Sequence, residues 1–290
     1  MRLAVAGTHA LLLVGTAACA AGADPDPAPA DVATYVALGD SYSAAAGVPV
    51  TEHESGCERS TGSYPARVAK ELGVTTYVDV TCGGASTRNL LESQQALRGP
   101  VPAQLDAVTR DADLVTLGIG VNDGIFAGVF GTCLMVAPGD PDGAPCQKAM
   151  TTPDGGDRLD GILGSLRTRL DSALREVEKR APDAEVVLVG YPQLVPPEGY
   201  CPGLPLAHGD YEYVRELMVD LGGLMEEAAD SAGVHYIDLL EPSEGHDICA
   251  GDDAWVNGVV TDPERATGLH PFAEEQQAVA DLVVEALAAD

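Results

Sequence analysis

The chain has 290 residues, 46% of them hydrophobic, and carries a formal net charge of −29 from 45 acidic against 16 basic side chains. That length suits one large domain or two small ones with a full core. The charge excludes ready binding to nucleic acid or to an anionic membrane surface, because long-range repulsion opposes both.

Residues 1–23 read as an export signal: Arg2, an apolar stretch broken by Thr8 and His9, then small residues suited to a peptidase. Cys19 after Ala17-Ala18 resembles a lipoprotein processing site, although Thr16 stands where an aliphatic residue is usual, so lipid attachment and simple cleavage both stay open. The apolar run is too short for a permanent anchor, and nothing later reaches the roughly 18 uninterrupted apolar residues of a membrane span. A secreted protein, or one tethered at the cell surface through its N-terminus, is expected. Residues 24–32 form a Pro/Ala/Asp linker with nothing to bury, and 33–290 the globular domain. Setting Cys19 aside leaves six cysteines, Cys57, Cys82, Cys133, Cys146, Cys201 and Cys249, an even number that implies three disulfides in an exported chain. Six cysteines allow fifteen pairings, and spacing does not choose among them. No C-x-x-C or H-x-x-H spacing supports a metal site, and no cofactor is expected.

Five short β-branched runs follow in chain order, at 34–39, 76–80, 113–119, 185–191 and 234–240. Helices are predicted between and after them at 63–72, 101–110, 159–178, 210–231 and 273–288. The clearest is 159–178, where Leu159, Ile162, Leu163, Leu166, Leu170, Leu174 and Val177 recur at steps of three and four. Alternating strands and helices, with strands apolar on both faces, predict a five-stranded parallel sheet between two helical layers, a three-layer α/β/α domain. Ligands of such sheets bind outside the carboxyl ends of the strands.

The strand ends carry the chemistry. "GDSYS" after the first run offers Ser41, which on this stretch alone reads first as a helix cap. It also departs from the G-x-S-x-G elbow of many serine hydrolases, because Ser43 holds the second glycine's place. "TCGGAST" at 81–87 is a glycine-rich turn whose backbone N–H groups can approach a ligand. "GIGVND" at 118–123 places Asn122 at a strand end, where an Asn-Asp pair also reads as a plain turn. "TGLHPF" at 267–272 puts His270 on a loop before the last helix. Together these supply what ester hydrolysis needs: a hydroxyl nucleophile in Ser41, a base of suitable pKa in His270, and donors for an oxyanion in Ser41 N–H, Gly84 N–H and the Asn122 carboxamide.

Four ordered blocks, "GDSYS", "CGGAST", "GVND" and "LHP", resemble those of the SGNH hydrolases, also called the GDSL esterase/lipase family, over roughly residues 33–288. "CERSTGSYPARVAKEL" at 57–72 and "VLVGYPQLVP" at 187–196 are similar to its secreted, Streptomyces-type branch. The resemblance implies a flavodoxin-like fold, metal-free acyl-ester hydrolysis and the pairings Cys57–Cys82, Cys133–Cys146 and Cys201–Cys249. Members commonly carry Asp three residues before the histidine, where this chain has Thr267. What the resemblance then implies is a main-chain carbonyl at Thr267 orienting His270 in a Ser-His dyad, with Asp262 the competing candidate for a triad. The segment 124–158 is the candidate for shaping an acyl pocket, with Phe126 and Phe130 as walls or as core, and Trp255 could line a cleft. The expected partner is a lipid or small acyl ester, met by a monomer. The rival reading is a non-catalytic lipid- or glycan-binding surface protein on the same fold.

Overall fold

A computed structural model describes residues 32–289 of the chain, so the signal, Cys19 and all of the linker but Val32 lie outside the described residues. In chain order the elements are β1 (Thr34–Gly39), α1 (Ser41–Ala44), α2 (Tyr64–Glu71), β2 (Thr76–Asp79), β3 (Gln94–Ala96), β4 (Gly99–Val101), β5 (Leu114–Gly118), α3 (Gly131–Val136), α4 (Pro145–Met150), α5 (Arg158–Arg180), β6 (Glu185–Val189), α6 (Tyr211–Ala232), β7 (His235–Ile237) and α7 (Ala273–Ala288).

Five strands form one wholly parallel sheet in the order β2-β1-β5-β6-β7, and β3 pairs only with β4 in a separate hairpin. This is the doubly wound order of flavodoxin-like sheets, whose switch point lies between β1 and β5. Alternation along the strands assigns the two faces. Val36, Leu38, Val115, Leu117 and Leu188 share one core with Leu166 and Leu170 of α5 and Leu217 and Met225 of α6. Tyr35, Ala37, Leu114, Val187 and Val189 share the other with Val68 of α2 and Val279 and Val283 of α7. The predicted parallel sheet and its two helical layers are therefore what the chain forms. Among the described residues, no helix is long and apolar enough to cross a membrane.

The helix predicted over 101–110 is absent. The chain leaves β4 at Val101 and makes one 3₁₀ turn over Gln104–Ala107. There the Gln104 carboxamide accepts from Gly39 N–H (2.8 Å) and donates to Gly39 C=O (2.9 Å), so a long-range tie at the end of β1 overrides local helical propensity. The segment 124–158 contains a π-helical turn, Ile125–Phe130, followed by α3 and α4.

The disulfides pair as Cys57–Cys82, Cys133–Cys146 and Cys201–Cys249, across 25, 13 and 48 positions. Every one of these cysteines lies between a strand's carboxyl end and the next long helix. In the chain-entropy account each bridge stabilises by about 3–4 kcal/mol, more for the longer loops.

Candidate active site

Gly39 and Gly118 end the adjacent strands β1 and β5 in register. A Cβ on either glycine would fall 2.4 Å from Ser43 Oγ, so both positions must lack one. The Ser43 hydroxyl fills that gap and donates to Gly118 C=O at 3.1 Å. The residue that breaks the elbow pattern is thus the one that packs the turn onto the sheet.

Asp40, not Ser41, caps α1: its Oδ1 accepts from Tyr42 N–H at 2.9 Å, and its Oδ2 accepts from Tyr191 O–H at 2.6 Å. Burial pushes the Asp40 carboxyl up to about 7, against the lowering effect of these two bonds. With the capping role taken, Ser41 is the first residue of the helical turn, and its side chain faces a cleft.

On one side of that cleft Gly84 adopts φ +75°, in the left-handed region that favours glycine, although space for a Cβ exists. Gln94 Nε2 donates to Gly83 C=O at 2.7 Å and Asn122 Nδ2 donates to Ala85 C=O at 2.9 Å, which fixes the turn from both ends. Asp123 ties the same turn to β5: its carboxylate accepts from Thr87 N–H (2.8 Å) and Thr87 O–H (2.5 Å), and Arg169 of α5 pairs with it at 2.8 Å. The Asp123 side chain is only 2% exposed.

The opposite side is the loop 266–270. Leu269 adopts φ +60°, a strained conformation for a γ-branched side chain. Tyr42 O–H donates to its carbonyl at 2.7 Å. The turn this makes brings His270 Nδ1 within 2.8 Å of the Gly268 carbonyl. A carbonyl can only accept, so Nδ1 carries the hydrogen and Nε2 keeps its lone pair. Burial pulls the His270 pKa below its ordinary value, partly countered by the Gly268 bond and by the charge of Glu58.

This corrects the expectation for Thr267. Its carbonyl accepts from the His270 backbone N–H (3.2 Å) and from Asn257 Nδ2 (3.3 Å), while the imidazole is served by Gly268. With the positive φ at Leu269 the ring meets the carbonyl two residues back, one residue nearer than the spacing suggested. Asp262 does not reach the histidine either; its Oδ1 accepts from Glu264 N–H at 2.9 Å and closes a local turn.

Ser41, Gly84, Asn122 and His270 line one cleft of about 190 Å³, walled also by Tyr42, Phe126 and Glu58. The tilted rings of Tyr42 and Phe126 lie 5.5 and 6.1 Å from the His270 ring, centre to centre. Phe126 is thus a wall and Phe130, stacked beneath it at 5.8 Å, is core. Trp255 is not part of this cleft and stacks on His246 at 4.4 Å. Tyr42, Glu58, Asp123 and Asn257 were not singled out from sequence; the first three merely follow Ser41, Cys57 and Asn122, and nothing there marks Asn257. Among the described residues, no three His, Cys, Asp or Glu side chains gather as a metal centre requires.

The model of the GDSL-like lipase/acylhydrolase family matches residues 37–278. Lipase 2 of Streptomyces coelicolor is 36% identical across 99% of this chain and 96% of its own length. The esterase of Streptomyces scabiei is 32% identical across 90% and 84%. Among solved structures, phospholipase A1 from Streptomyces albidoflavus NA297 superposes with a TM-score of 0.70 at 30% identity, covering 88% of this chain and 98% of that one. The extracellular lipase of Streptomyces rimosus gives 0.69 at 29%, covering 88% and 99%. With the four blocks gathered at one cleft on a flavodoxin-like sheet, and with relatives alike over nearly their whole length, this chain belongs to the GDSL-like lipase/acylhydrolase family.

Proposed function

We propose that this hydrolase of esters is exported and works through an acyl-Ser41 intermediate, with His270 as general base and then general acid. The observation that carries the reading is the convergence of Ser41, Gly84, Asn122 and His270, from four separate strand-end segments, on one cleft. Nε2 of His270 takes the Ser41 proton as Oγ bonds to the ester carbon, and the carbonyl electron pair moves to oxygen. The resulting oxyanion is met by Ser41 N–H, Gly84 N–H and the second Nδ2 hydrogen of Asn122, the first being spent on Ala85. One such donor is typically worth about 3 kcal/mol. The imidazolium returns its proton to the alkoxide as the C–O bond breaks, and water then repeats the sequence on the acyl-serine.

The third element is the Gly268 carbonyl, so the arrangement is a Ser-His dyad oriented by main chain. Tyr42 and Phe126 offer the acyl group an apolar wall. Export is supported by three disulfides and by similarity to a lipase described as extracellular. The test is fluorophosphonate labelling followed by peptide mapping. Modification at Ser41, lost with ester turnover in Ser41→Ala, is expected; labelling elsewhere, or full activity in the variant, overturns the reading.

A further inference from the structure

The catalytic cleft, at about 190 Å³, is smaller than the roughly 300–1,000 Å³ that encloses a whole small ligand. A second cavity of about 470 Å³ lies beside it, and Asn122 lines both. Its walls are the turn beyond Gly84, with Ser86, Thr87 and Arg88, and the face of α5 that carries Arg169 and Ser172.

The wall is rich in polar groups yet formally neutral. Arg88 Nε donates to Glu92 at 2.7 Å and Arg169 donates to Asp123 at 2.8 Å, so each cation brings its own carboxylate. Capacity remains unused: among the described residues, both terminal nitrogens of Arg88, Nε and one terminal nitrogen of Arg169, and the Ser172 hydroxyl make no hydrogen bond. Leu91, 51% exposed, adds an apolar strip. A free anion would find no net positive charge here and would enter against a chain of net charge −29. Hydroxyl groups, which donate and accept and sit on a C–H framework, match the lining.

We propose that this cavity receives the alcohol half of the substrate, and that this half is a neutral polyhydroxylated unit, a sugar or another polyol. The proposal rests on the acyl-Ser41 reading for its orientation: the scissile carbonyl lies on the Ser41 side of Asn122 and the alcohol on the Arg169 side.

The test compares soluble octanoyl esters of ethanol, of glucose and of glycerophosphocholine on the full chain. The glucose ester is expected to exceed the ethyl ester in kcat/KM by about tenfold or more, and Ser172→Leu and Arg88→Leu each to remove most of that ratio. Methyl glucoside should raise KM for the ethyl ester without changing kcat. Calorimetric binding of methyl glucoside to wild type, lost in Ser172→Leu, supports the subsite even where no ester turns over, and so separates its fate from that of the acyl-serine mechanism. A glucose-to-ethyl ratio near one together with no glucoside binding overturns the proposal, as does a preference confined to the phosphocholine ester.

Discussion

The serine turn and the histidine loop face each other across the cleft and are held in opposite ways. The turn is locked by side chains from the sheet and its neighbours: Asp40 to Tyr191, Ser43 into the gap between Gly39 and Gly118, and Gln104 around Gly39. The loop is held chiefly by its own main chain, through Gly268 to the imidazole and Ala266, Thr267 and Val260 carbonyls to Asn257; from the serine side come the Tyr42 hydroxyl, donating to the Leu269 carbonyl, and the Ala46 carbonyl, accepting from Thr267 N–H. Side-chain identity should therefore matter greatly on the serine side and at His270 itself, and little at most positions of the histidine loop.

The largest effect expected is at the base. His270→Ala should lower kcat/KM by about 10⁴-fold or more, because nucleophile and base act as a unit. The acid limb of the wild-type pH–rate profile should lie below the ordinary histidine value of 6.5, since burial favours the neutral imidazole and keeps the base form present at lower pH. A limb above that value would contradict the environment described for His270.

Next comes Asp123, which carries no proposed chemistry but joins the Gly84 turn to β5. Asp123→Ala should lower kcat by about 10- to 100-fold with less change in KM, because it loosens the oxyanion donors without removing one. Unchanged turnover with intact folding would show that Gln94 and Asn122 suffice to hold that turn. Tyr42→Phe cuts the strut to Leu269; a loss of about 1 kcal/mol in stability and of about three- to tenfold in kcat is expected, read by thermal unfolding and steady-state kinetics.

Thr267→Ala should stay within about tenfold of wild type, and Asp262→Ala likewise, because the orienting acceptor is the carbonyl of Gly268 and not a carboxylate. Loss of a true third member commonly costs about 10⁴ in turnover, so a collapse in Asp262→Ala would turn the dyad into a triad and erase the contrast between the two regions.

The smallest effect on activity and the clearest on stability concerns Glu275, buried at the start of α7 beside Tyr42 and pushed up to about 8 by burial. The folded chain binds a proton there that the unfolded chain releases, so this contribution is complete below the ordinary carboxyl pKa of about 4.3 and is lost as pH rises through about 8. Glu275→Gln should therefore lose less stability than wild type between about pH 5 and about pH 9, measured by urea unfolding at fixed temperature.

Legibility in the sequence follows the same division. β1 was readable to the residue, and α5, expected over 159–178, spans Arg158–Arg180, because strands buried on both faces and a helix with one apolar stripe impose periodicities that need no knowledge of the rest of the chain. The four residues that line the cleft were readable because Ser41, Gly84 and Asn122 follow strand ends and His270 stands just before the last helix. What was not readable depends on contacts distant in sequence or on one backbone angle. Gln104 leaves its helix for Gly39, 65 positions away, and the positive φ of Leu269 moves the acceptor from Thr267 to Gly268. Ser43 looked like a missing glycine only because the glycines it fits against lie in β1 and β5.

All three disulfides belong to the segments that leave the carboxyl ends of the strands, and the shortest, Cys133–Cys146, brackets residues that follow Phe126. A covalent bracket keeps the ends of such a segment in place whatever side chains lie between them. The exposed residues inside it, Met135 and 138–142, can then diverge, in nature or in a randomised library, without each change having to be compatible with the core that Leu134, Val136 and Ala137 touch. In this chain the sheet and the Ser41 turn depend on side chains that fit one another, whereas the exposed stretch between Cys133 and Cys146 is tied at its ends by two sulfur atoms.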